Sequence, residues 1–98
     1  MIEIGFLLDY YKDLLTEKQS KYLIEYFEED LSLTEIAENY GISRQAVYDN
    51  VKRGIKILRN YEAKLKFYER DKELRKELLD LRENFRIEKL DEIIEKLS

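Results

Sequence analysis

The chain has 98 residues, 44% of them hydrophobic and 41% charged, with a net charge of −4, a balance too apolar for disorder, too charged for a membrane protein, and sized for one domain with a modest core. It contains no His, Cys, Trp or Pro, which excludes disulfides, thiolate metal sites, imidazole acid-base work and a cysteine nucleophile. No apolar run approaches the roughly 18 residues of a spanning helix, and the start MIEIGFLLDYY lacks a basic n-region and a cleavage site, so membrane insertion is not expected and a cytoplasmic location is.

With three glycines and no proline to punctuate it, the chain reads as all-α, a single helical domain over residues 1–98. Residues 3–29 predict the N-terminal helices. Ile4, Leu7, Leu8, Tyr11, Leu14 and Leu15 recur at spacings of three and four, the pattern of an amphipathic first helix. Thr16 with Gln19 makes a capping box that opens a second helix to about Glu29, its buried face Tyr22, Leu23, Tyr26 and Phe27.

Residues 32–58, SLTEIAENYGISRQAVYDNVKRGIKIL, predict a helix-turn-helix. Ser32 and Glu35 form a second capping box, so a helix starts at Leu33. Ile36, Ala37 and Tyr40 share one face, with the small Ala37 where a second helix must approach closely. Gly41 follows at the position where a left-handed backbone costs glycine least, and Ile42 plugs the corner. Ser43 caps the second helix, whose inward face is Val47, Val51 and Leu58, with Gly54 and Ile55 beside it. Capping boxes and a glycine turn also occur in ordinary helical hairpins, which is the plainer alternative.

The outward residues of the second helix follow by subtraction. Arg44, Gln45, Tyr48 and Asp49 lie near its N-terminal end, the end that meets base edges in a major groove. Arg44 and Gln45 suit guanine and adenine, while Asp49 is repelled by phosphates unless it accepts from a cytosine amine. Lys52, Arg53, Lys56 and Arg59 suit backbone phosphates, although a solubilising stripe would look the same. The charge distribution favours contact with nucleic acid. Residues 1–42 hold 3 Lys/Arg and 10 Asp/Glu, net −7, and residues 67–98 hold 8 and 10, net −2. Residues 43–66 hold 7 and 2, net +5, which places the positive charge on the presumed recognition helix and its continuation. The eight Tyr and four Phe fall mostly at inward helical spacings, so they read as core rather than as base-stacking platforms; Tyr48 is the exception.

Residues 59–98 predict a C-terminal helical extension. An apolar stripe at 47, 51, 54, 58, 61, 65 and 68 makes the recognition helix long. The stripe breaks across residues 69–73 and restarts at Leu74, Leu78, Leu81 and Phe85, then at Ile87, Leu90, Ile94 and Leu97, predicting breaks near Arg70 and again over residues 84–87. The charges there read either as a solvated face or as the flanks of a partner helix. Apolar stripes beyond a complete helix-turn-helix need cover, by folding back or by pairing in a homodimer through the C-terminal helices.

Residues 32–58 resemble the DNA-reading helix-turn-helix of sigma factor region 4, from the ISRQAV turn to the basic VKRGIKIL continuation. Residues 7–38 and the charged C-terminal part resemble the YlxM-type family of small bacterial helix-turn-helix proteins, nearly end to end. The first resemblance implies a sigma region 4-like bundle. The second implies a partner pathway, because genes of that family lie beside those of the signal recognition particle's GTPase or its receptor. The expected function is therefore a non-enzymatic, cofactor-free regulator that binds double-stranded DNA, and the second resemblance implies partners in the particle's GTPase, its receptor or its RNA. The rival expectation is an accessory factor of that pathway that binds protein or RNA and not DNA.

Overall fold

The computed structural model describes residues 2–97, with side chains from Glu3 onward. The described residues are helical: α1 (Ile2–Tyr11), α2 (Glu17–Phe27), α3 (Leu33–Tyr40), α4 (Arg44–Leu65), α5 (Phe67–Glu83) and α6 (Ile87–Lys96). They fall into two compact units, residues 1–66 and residues 67–98.

The first unit is built around α4. Ile4, Leu7, Leu8 and Tyr11 of α1, Tyr22 and Leu23 of α2, Ile36 and Ala37 of α3, and Val47, Val51 and Leu58 of α4 are buried together. This is the face that the spacings of three and four select, since residues i, i+3, i+4 and i+7 point one way from a 3.6-residue helix. Gly54 belongs to the same interior: a Cβ there would come 2.6 Å from Cδ1 of Leu23, so α2 and α4 cross where only glycine fits without displacement. Tyr11 ties α1 to α4 by donating its hydroxyl to Oε1 of Glu62 at 2.6 Å, and its ring stacks on Tyr61.

The local signals at helix starts are realised in full. Thr16 Oγ1 accepts from the Gln19 N–H at 3.2 Å and Gln19 Oε1 accepts from the Thr16 N–H at 3.3 Å. Ser32 and Glu35 make the same reciprocal pair at 3.0 and 3.1 Å. Each box satisfies backbone donors that no helical carbonyl reaches.

Several expectations are corrected. The first helix stops at Tyr11, and the chain tightens into a 3-10 turn at Lys12–Leu14, leaving Leu14 exposed. Leu15, whose N–H still reaches the Lys12 carbonyl, is extended so that Thr16 can cap α2. The tighter winding of a 3-10 turn, with about three residues per turn, breaks the 3.6-residue phase of the stripe. Tyr26 and Tyr40 lie at the edge of the core; Tyr40 is 38% exposed. A tyrosine satisfies both its ring and its hydroxyl best at such an edge. The Tyr40 ring meets Tyr22 edge-on at 4.9 Å, and its hydroxyl donates to Glu25 at 3.1 Å. Desolvation first, then that hydrogen bond, raises its pKa above the ordinary tyrosine value.

The break expected near Arg70 lies at Lys66, a left-handed residue with φ of 56° whose N–H reaches the Glu62 carbonyl. The buried stripe on α4 runs out earlier than its sequence, for Leu65 is 41% exposed.

The second unit is a helical hairpin. Its second break falls over residues 84–86, as expected. Glu77 on α5 accepts from Lys96 on α6 at 2.7 Å and lies 3.9 Å from Lys89. Lys89, Ile93 and Lys96 share one face of α6, the face that meets Glu77, and Ile93 on it is buried. The stripe of Ile87, Leu90, Ile94 and Leu97 is corrected accordingly: Ile93 is buried, whereas Ile94 is 54% exposed. On α5, Leu78 is exposed, and Phe85 just beyond the helix is 67% exposed.

Candidate nucleic-acid interface

The turn between α3 and α4 forms because its backbone groups are satisfied locally. Gly41 adopts φ of 64°, its N–H reaches the Glu38 carbonyl, and the Ile42 N–H reaches the Ala37 carbonyl at 3.1 Å. This is the paired arrangement of a Schellman motif, and half-buried Ile42 supplies its hydrophobic contact. Ser43 then caps α4 by accepting from the Ala46 N–H at 3.0 Å. The first turn of α4 carries no acidic residue, so its partial positive charge is not cancelled.

Arg44, Gln45, Tyr48, Asp49, Lys52, Arg53, Lys56 and Arg59 are all exposed. Since residues on a helix advance by about 100° each, Val47, Val51, Gly54 and Leu58 define the inward side, and Gln45, Asp49, Lys52 and Lys56 lie roughly opposite. Tyr48 and Arg59 flank that side toward one edge and Arg53 toward the other. Arg44 lies near the boundary with the core. The helix thus brings the candidate residues onto a single broad face, with Arg44 at its margin. Asp49, Lys52, Arg53, Lys56 and Arg59, with Ile55 and Asn60, line a shallow groove along it.

Two contacts within this face were not anticipated. Gln45 donates its side-chain amide to Oδ1 of Asp49 at 3.0 Å, which partly disperses the carboxylate's charge and occupies one amide hydrogen. The Lys52 ammonium lies 6.0 Å from the centre of the Tyr48 ring, at the outer limit of a cation–π contact. Both are i, i+4 pairs, a spacing visible in the sequence, but spacing does not fix the rotamers. A third, the Asn50 amide donating to the Ala46 carbonyl at 2.8 Å, turns Asn50 back on its own helix and away from the outward face. Among the described residues there is no group of three or more acidic side chains placed to hold a metal, and no helix long and apolar enough to cross a membrane.

The fold and turn agree with the comparison to known sequences. The model of family UPF0122, described as "Putative helix-turn-helix protein, YlxM / p13 like", matches residues 1–97. The chain belongs to this family. A UPF0122 protein of Fusobacterium nucleatum is 57% identical over 96 residues, covering 98% of this chain and 93% of its own length. A UPF0122 protein of Shouchella clausii is 47% identical over 81 residues, 83% of this chain and 74% of its own. One from Bacillus pumilus is 51% identical over 76 residues, 78% and 68% respectively. A helix-turn-helix family of this description is not a known family of enzymes.

Proposed function

We propose that this UPF0122 member is a regulatory protein that reads double-stranded DNA through α4. The observation that carries the reading is the coincidence of three features on one helix: a buried face that fixes it to the bundle, a capped N-terminus free of acidic residues, and an outward face within the net-positive stretch of the chain. In this reading Arg44 and Gln45 contact base edges from the first turn. Lys52, Arg53, Lys56 and Arg59 meet phosphates along the following turns, and Tyr48 packs at the groove wall. Asp49 is tolerated because it accepts from Gln45, and it would add sequence choice by accepting from a cytosine amine. A homodimer through the C-terminal helices would present two copies of α4 to a two-fold site and double the phosphates neutralised, offsetting the net charge of −4. Acting inside the cytoplasm fits a regulator of transcription.

The test is a fluorescence-anisotropy titration against a duplex selected from a random pool, at low and near-physiological salt. Arg44→Ala should weaken the selected duplex by about 1–3 kcal/mol and relax preference at one base pair, whereas Lys52→Ala should weaken all duplexes alike and reduce the salt slope by about one. Wild-type binding unaltered by either substitution removes α4 as the reader.

A second reading has its own support in Asp49 and the acidic remainder of the chain: an accessory factor of the signal recognition particle, using the same fold to dock protein or RNA. Titration against the particle's RNA, and capture assays with its GTPase and receptor, separate the two. Binding to those and not to duplex DNA would replace the first reading with the second.

A further inference from the structure

We infer that the α5–α6 hairpin is a self-complementary surface whose occupant is the same hairpin of a second copy, joined groove to ridge in a two-fold dimer. The inference gives the dimer of the proposed function its surface, and it stands or falls independently of what α4 binds. It begins with the hairpin's poverty of core. Residues 67–98 number fewer than the roughly 40 below which a chain usually needs outside support, and the buried side chains found there are Leu81 and Ile93. Leu78, Leu79, Phe85, Ile87 and Ile94 remain exposed on the two helices and the turn between them, more apolar surface than such a unit leaves without a partner.

The charges identify the partner. On α5, Leu74, Leu78 and Leu79 floor a groove bordered by Arg75 and Arg82, with Asp71 at one end. On α6, Ile87 and Ile94 form an exposed ridge, and the helix's 3.6-residue repeat places Asp91 and Glu88 along its flank. The ion pairs inside the hairpin sort these charges. Lys96 is drawn to Glu77 at 2.7 Å, and Lys89 lies between Glu77 at 3.9 Å and Glu92 of its own helix at 3.6 Å, which leaves Asp91 and Glu88 as the acids beside the ridge and Arg75 and Arg82 as the cations beside the groove. Arg82 also lies 3.6 Å from Glu83, but both side chains are largely in solvent and that pair yields readily to a better one.

A basic apolar groove and an acidic apolar ridge on one hairpin are what a two-fold contact requires, because each copy must offer the feature and its complement at once. A foreign partner would need only one of them. In the dimer Ile87 and Ile94 of each copy seat against Leu74 and Leu78 of the other, with Asp91 and Glu88 facing Arg75 and Arg82 twice over.

The full chain should sediment as a dimer in analytical ultracentrifugation at tens of micromolar, on the order at which modest interfaces form. The double substitutions Arg75→Glu with Arg82→Glu, and Glu88→Lys with Asp91→Lys, each set like charges together at both contacts and should raise the dissociation constant about a hundredfold. Both variants should keep wild-type helicity by circular dichroism, because the altered side chains are exposed. Mixing the two variants one to one restores opposite charges at both contacts, so a heterodimer should form at wild-type concentration. A wild-type monomer overturns the proposal, as does either variant remaining a dimer, or a mixture that stays monomeric. Duplex binding measured on the same samples reports separately on the α4 reading. Loss of dimer with retained half-site binding, or the reverse, tells which of the two has failed.

Discussion

In residues 1–66, α1, α2, α3 and α4 close on one another around Leu7, Leu23, Ile36, Val47 and Leu58, all inaccessible to solvent, whereas in residues 67–98 α5 and α6 bury Leu81 and Ile93 and are linked by Glu77 with Lys96 and Lys89. The first unit draws its stability from packed apolar volume, which a recognition helix needs if its outward face is to be held rigidly. The second is held by ion pairs that water weakens, and it keeps its apolar surface outside. A chain of this length can therefore combine one unit with a packed apolar core and one that leaves most of its apolar side chains exposed.

The sharpest way to break this contrast is through the first core. Leu58→Ala or Ile36→Ala should cost about 2–5 kcal/mol in urea unfolding, because each removes a fully buried side chain that its neighbours cannot replace. A loss below about 1 kcal/mol would mean that the first unit is no better packed than the second. Next in size is Gly54→Val, whose branched side chain must displace Leu23; an expected loss of about 1–3 kcal/mol, with reduced affinity for whatever α4 binds, would show that the α2–α4 crossing sets the helix's position. Ser32→Ala should cost about 1 kcal/mol by unmaking a capping box, and Ser32→Gly only a few tenths, a difference readable in thermal melts.

The smallest effect belongs to the hairpin, and it depends on pH. The hydrogen bond from Lys96, ahead of its charge, holds the Glu77 carboxyl below the ordinary carboxylate range despite partial desolvation, and the same bond raises Lys96 above the ordinary amine range. A lowered carboxyl pKa stabilises the folded state above the group's unfolded value, and that contribution is lost as pH falls through the folded value. A raised amine pKa stabilises below its unfolded value and is lost as pH climbs through the folded one. The bridge should therefore be constant around neutrality and weaken at both extremes. Amide exchange of α6 should quicken on acidification below the carboxylate range, and Glu77→Gln should abolish that change while leaving α2 and α3 unaltered; an α6 indifferent to both would mean Glu77 does not hold it.

Much of the first unit was legible because its signals are local. Thr16 with Gln19, Ser32 with Glu35, Gly41 and Ser43 each satisfy backbone groups within four residues, so their positions in the sequence suffice to place helix ends. The inward residues Val47, Val51 and Leu58 were legible for a similar reason, since one helix period relates them. The misplaced features depend on what lies across the interface. Tyr40 carries a ring and a hydroxyl with opposite preferences, and only Tyr22 and Glu25 on α2 decide how they are met. The break at Lys66 is a left-handed residue that the apolar spacing, which continues to Tyr68, does not announce. Ile93 and Ile94 are adjacent and equally apolar, and which of them is buried depends on how α6 packs against α5. For the candidate interface, the sequence indicated which residues face outward but not that Gln45 is engaged with Asp49, because an i, i+4 spacing permits that bond without requiring it.

By itself, then, the sequence determined the helical class, the caps, the left-handed turn at Gly41 and the concentration of positive charge on residues 43–66, all consequences of backbone satisfaction and a 3.6-residue period. Tertiary structure alone decided that Gly54 packs against the Leu23 side chain, that α4 ends at Leu65 with Lys66 as its left-handed cap, and which face of α6 turns toward α5. Those outcomes depend on the volume and charge of residues distant in sequence, and a one-dimensional periodicity carries no record of what will stand opposite it.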